Sequence, residues 1–65
     1  MNTPTTVEYH ASTDSLQPYK IERFSTLGEA LRSLPHGTKF IKEDGETLLF
    51  KRNIFKGYVR IRRMS

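Results

Sequence analysis

Thr26 and Glu29 stand three residues apart at the head of an apolar run. In that arrangement the hydroxyl and the carboxylate each satisfy a backbone N–H that the first helical turn leaves without a partner. Leu27, Ala30, Leu31 and Leu34 then fall at i, i+3, i+4 and i+7, which puts all four on one face of the predicted helix. Pro35 and Gly37 end it. A helix of little more than two turns does not persist alone in water, so its stripe must lie on another element. The flanking segments read as strands, and the spacing therefore predicts an α+β layer in which the helix covers one face of a sheet.

The strand signals differ in strength. Tyr19-Lys20-Ile21-Glu22-Arg23-Phe24 is short, aromatic and β-branched, and Tyr58-Val59-Arg60-Ile61-Arg62 alternates cleanly, with Val59 and Ile61 toward the core and Tyr58, Arg60 and Arg62 outward. Residues 1–18 are rich in Thr, Ser, Asn, Asp and Pro. Only Val7-Glu8-Tyr9-His10-Ala11 alternates there, so this stretch reads as a weakly structured arm or an edge strand, and residues 19–65 as a single domain. The expected architecture is a small antiparallel sheet of three to five strands with one short helix on one face, in β-α-β-β-β order.

Asp44-Gly45 lies between Thr38-Lys39-Phe40-Ile41-Lys42 and Glu46-Thr47-Leu48-Leu49-Phe50-Lys51, a strong hairpin signal. A two-residue turn at Asp44-Gly45 would oppose Glu43 to Glu46 and split Phe40 and Phe50 between the faces. A three-residue loop, Glu43-Asp44-Gly45 with Gly45 left-handed, pairs Lys42 with Glu46 and Phe40 with Leu48 and brings Phe50 to the same side. The bulged loop is the preferred reading. Lys39, Ile41, Thr47, Leu49 and Lys51 then line the other side.

With 65 residues the chain fits one core. Its expected members are Tyr19, Ile21, Phe24, Leu27, Ala30, Leu31, Leu34, Phe40, Leu48, Phe50, Val59 and Ile61, with contributions from Val7, Tyr9, Ile54, Phe55 and Tyr58. Such a core supplies roughly 3–5 kcal/mol of net stability. The absence of cysteine excludes disulfides, thiolate metal sites and thiol nucleophiles. No apolar run could span a bilayer and none follows a basic start, so a cytoplasmic protein is expected.

Charge narrows the function. Residues 1–37 are close to neutral, whereas residues 38–65 set Lys39, Lys42, Lys51, Arg52, Lys56, Arg60, Arg62 and Arg63 against only Glu43, Asp44 and Glu46. That asymmetry points to a polyanion or an acidic protein surface. Chemistry finds little support. His10 and His36 lack companions at metal-ligand spacing and read as surface residues, while His10, Ser12 and Asp14 hold triad residue types but fall in the least ordered segment. The carboxylates are explained by capping and by the hairpin tip. No enzymatic activity, metal or cofactor is expected.

What remains is a set of cations interleaved with aromatics: Lys51, Arg52, Lys56, Tyr58, Arg60, Arg62 and Arg63. The cations can neutralise phosphates while Tyr58 offers a ring for a base. About five phosphate contacts would give a log–log salt slope near −4 to −5. Arg60→Glu with Arg62→Glu is expected to abolish binding and spare the fold. Lys56-Gly57-Tyr58-Val59 is similar to the opening of the RNP1 motif of RNA-recognition domains, but the next aromatic is missing and that fold needs two helices, so that family is set aside.

Leu34-Pro35-His36-Gly37-Thr38 through Glu43-Asp44-Gly45 resembles a hairpin phrase of small phage- and prophage-associated accessory proteins. The resemblance implies a phage or prophage accessory protein of the host cytoplasm, a class that includes small inhibitors of polymerase, nuclease and CRISPR-type complexes. The residues themselves favour nucleic-acid binding. A homodimer through a strand edge is a third arrangement.

Overall fold

The structure, a computed structural model, describes residues 4–12, 14–51 and 57–63. Among these residues five strands and a helix follow one another as β1 (Thr5–His10), β2 (Lys20–Phe24), α1 (Leu27–Arg32), β3 (Lys39–Asp44), β4 (Thr47–Lys51) and β5 (Tyr58–Arg63). All strands join one antiparallel sheet in the order β2-β1-β5-β4-β3. The α+β class is as expected. No helix among the described residues is long and apolar enough to cross a membrane.

The element order differs from the expected β-α-β-β-β because Thr5–His10 is itself a full strand. It is neither a loose arm nor an edge. β1 pairs with β2 on one side and β5 on the other, and five of its six residues are buried. The alternation itself holds, with Val7 and Tyr9 toward the helix and Thr6, Glu8 and His10 on the other face, where side chains of the two flanking strands crowd them. Glu8 and His10, which made the segment look polar, are buried against cross-strand partners.

α1 packs on β1 and β2 and thereby defines the two faces of the sheet. On its side lie Val7, Tyr9, Val59, Ile61 and Phe50, closed over by Ala30, with Phe24, Leu27, Leu34 and Leu48 at the margin. The Thr26 hydroxyl accepts from the Glu29 N–H at 3.2 Å, the hydroxyl half of the predicted cap. Tyr19, Ile21, Leu31 and Phe40, expected in the core, are instead exposed. For Ile21 the reason is parity: within β2 it sits opposite Glu8, on the other face from Phe24, and β2 is an edge. Ile54 and Phe55 lie outside the described residues.

The hairpin brings Phe40 and Phe50 to one side, as expected, but by another register: the expected pairs Lys42–Glu46 and Phe40–Leu48 do not form, because Lys42 faces Leu49 and Phe40 faces Phe50. Asp44 pairs with Thr47 across a two-residue turn, Gly45-Glu46, and Gly45 takes φ +63°. That positive value at the first turn position alone suits glycine followed by an ordinary residue. The extra residue falls inside β3, where the register shifts between Phe40 and Lys42 and leaves Ile41 bulged. Phe40 thereby comes opposite Phe50 with ring centroids 5.5 Å apart at 67°. The expected three-residue loop is thus replaced by a tighter turn and a bulge. A bulge within an edge strand also twists it away from stray pairing partners.

Candidate functional site

Cross-strand register arranges the side of the sheet away from α1 into three rows. Arg23, Thr6, Arg62, Thr47 and Asp44 form the first; Ile21, Glu8, Arg60, Leu49 and Lys42 the second; His10, Tyr58, Lys51 and Lys39 the third. This face therefore carries the cations Arg23, Arg62, Arg60, Lys42, Lys51 and Lys39 against the carboxylates Glu8 and Asp44. The helix side balances Lys20 and Arg63 against Glu22 and Glu43 within its strands. Among the described strand residues, the net positive charge lies on the helix-free face.

Of the residues singled out from the sequence, Lys51, Tyr58, Arg60 and Arg62 share this face. Arg63 does not. It alternates onto the helix side, where its guanidinium reaches the Glu43 carboxylate at 3.3 Å and the Gly45 carbonyl at 3.4 Å, while its backbone N–H donates to the Glu46 carbonyl. Those three contacts brace the hairpin tip. Arg52 and Lys56 lie outside the described residues. Arg23 joins the face from β2 through the strand order, and Lys42 joins from β3 because the bulge turns it to the side where the sequence already put Lys39 with Lys51.

Arg60 and Tyr58 are tied to a buried polar cluster. The Arg60 Nε donates to Glu8 Oε1 at 2.8 Å, its Nη2 lies 2.7 Å from the same oxygen, and the Arg62 Nη1 stands 3.8 Å from Oε2. His10 Nε2 is 3.4 Å from Glu8 Oε1, and the imidazole stacks on Tyr58 with centroids 4.4 Å apart and planes at 4°. The Tyr58 hydroxyl donates to the Ser15 carbonyl at 3.3 Å, which ties the β1–β2 connection to the same corner. The His10 side chain is 0 % exposed, so it is no surface histidine. Its enclosure follows from β1 being an interior strand.

Arg60 is consequently a half-spent cation, and reversing its charge would set a second carboxylate against Glu8. The expectation that Arg60→Glu with Arg62→Glu spares the fold is withdrawn for that reason. Burial acts to raise the pKa of Glu8, but hydrogen bonds from Arg60 and His10 and the charges of Arg60 and Arg62 outweigh it, so the carboxyl sits below its ordinary value. A carboxyl with a depressed folded pKa contributes stability that is complete above the unfolded value of 4.5 and is lost as pH falls through the lower folded value. Glu8→Gln should therefore cost about 1–3 kcal/mol at neutral pH, and the difference from the parent should shrink steadily below the ordinary carboxylate range. Urea unfolding of both proteins from neutral to acid pH measures it; a gap unchanged by acid would refute the assignment.

Beside the cluster, β3, β4 and β5 enclose a groove of about 340 Å³ lined by Ile41, Asp44, Thr47, Leu49, Tyr58 and Arg60. Ile41, Leu49 and the Tyr58 ring supply apolar surface, while Asp44, Thr47 and Arg60 supply polar groups. The groove is open to the cationic face. Comparison with family models, curated proteins and solved structures finds no match to this chain.

Proposed function

We propose that this chain is a non-enzymatic binding module for nucleic acid, working through the helix-free face of its sheet. The observation that carries the reading is the gathering of Arg23, Arg62, Lys42, Lys51 and Lys39 from four strands onto one surface. Cations dispersed for solubility alone would not need to share a face. A single strand suits the surface better than a duplex, because an apolar groove with an aromatic wall can take an unpaired base and has little to offer a paired one.

About five available cations on a single-stranded ligand correspond to a log affinity that falls with log salt at a slope near −3.5, shallower than the sequence suggested because a single strand releases fewer counterions per contact than a duplex. Labelled single- and double-stranded oligonucleotides titrated across a salt series test this. Expected are a slope of about that size and a preference for the single strand. Absence of binding at low salt would end the nucleic-acid reading and leave the acidic protein surface, including the phage-encoded inhibitor of a host complex, as the better account. Capture from a nuclease-treated lysate then separates the two.

A further inference from the structure

Resting on the nucleic-acid reading, we infer that the groove between β3, β4 and β5 is a subsite for one unpaired base bearing an exocyclic amino group. Its shape and chemistry follow the two parts of a base. Ile41 and Leu49 present branched apolar side chains and Tyr58 an aromatic ring, which together suit a planar π surface. Asp44 and Thr47 belong to the same lining and supply hydrogen-bonding groups for a base edge.

Tyr58 is held for such a role. One face of the ring is covered by the His10 imidazole and the hydroxyl is bound to Ser15, so little side-chain freedom remains to be lost when a ligand stacks. Asp44 sets the preference among bases. An ionised carboxylate only accepts hydrogen bonds, so it favours the amino group of cytosine or adenine and repels the O4 acceptor that thymine and uracil offer in its place. The backbone of the same strand would run over a surface where Arg62 and Lys51 flank the groove-lining residues of β4 and β5, which complements its phosphates.

The test uses the whole chain and short labelled deoxyoligomers of equal length at low salt: all-cytosine, all-adenine, all-thymine and an abasic chain with the same number of phosphates. Cytosine and adenine oligomers should bind roughly 5- to 150-fold more tightly than the abasic chain, the range expected for stacking of one base. They should also bind roughly 5- to 10-fold more tightly than thymine, the low end of base discrimination because Asp44 is exposed. Asp44→Ala removes a negative charge and should raise every affinity, but it should collapse the cytosine-to-thymine ratio toward one.

Equal binding of abasic and cytosine oligomers would overturn the subsite while leaving the nucleic-acid reading in place. A ratio unmoved by Asp44→Ala would overturn the role of the carboxylate. Failure of every oligomer to bind would sink the subsite together with the reading beneath it. The same series in ribonucleotides distinguishes the source of the strand, with the base order expected to hold and the tighter series identifying RNA or DNA.

Discussion

Gly57→Ala should bring the protein to the edge of unfolding at room temperature. Gly57 is buried immediately before β5, and a Cβ built on it falls inside contact distance of the His10 carbonyl oxygen and 3.1 Å from the carbonyl carbon and oxygen of Ala11. These are backbone atoms, so no rotamer change relieves the clash. They lie at and just past the end of β1 that pairs with β5 at His10 and Tyr58. Separating the strands there would open the His10–Tyr58 stack and expose the polar cluster around Glu8. A cost above about 3 kcal/mol is expected for overpacking against fixed backbone. That consumes most of the roughly 3–5 kcal/mol a core of this size supplies. Circular dichroism melts of the two proteins decide it: a melting temperature within a few degrees of the parent would show that the approach of β5 to Ala11 is not a constraint on the fold.

Reversal of Arg23 and Lys51 together should abolish nucleic-acid binding and spare the fold. Both residues are exposed, and they stand on strands β2 and β4 at opposite sides of the interface. Lys51 opposes Lys39 across the hairpin, so Lys51→Glu replaces a like-charge pair with an attractive one. Arg23→Glu faces Thr6 and meets no carboxylate across the strand. We expect about a 100-fold loss of oligonucleotide affinity at low salt, with the salt slope reduced by about 1.4 for two lost phosphate contacts. The melting curve should stay close to that of the parent. Retained affinity in a folded double variant would move the interface elsewhere. Arg60→Glu makes the contrasting control, because it should lose stability through repulsion of Glu8 before binding can be assessed.

Why one arginine serves the interface and the next does not is a matter of register. Arg60, Arg62 and Arg63 are nearly contiguous, and alternation within β5 alone sends Arg63 to the helix side, where it braces the hairpin. Alternation also shows that Tyr58, Arg60 and Arg62 share a face, and both features are legible without a structure. Which of those side chains is available is not. Arg60 is engaged because Glu8 lies on the neighbouring strand, fifty-two positions away in the chain. No local pattern carries that information.

The helix start was determined locally, whereas the predicted stripe holds only in part, since Leu31 is exposed and Leu34 lies beyond Leu27–Arg32. The threonine cap is short-range chemistry, as are the existence of the β3–β4 hairpin and the two faces of β5. Each depends on interactions between residues a few positions apart, and such interactions are written directly in residue order. The tertiary structure alone decided that Thr5–His10 is interior, that His10 and Glu8 are enclosed, that Ile21 is outside, and that Arg23 and Lys42 stand with Lys51 and Arg62. Those outcomes depend on strand order and on where the bulge in β3 falls. A shift of one residue in pairing exchanges the two faces of a strand, so the composition of the surface is set by long-range registration and not by any single segment.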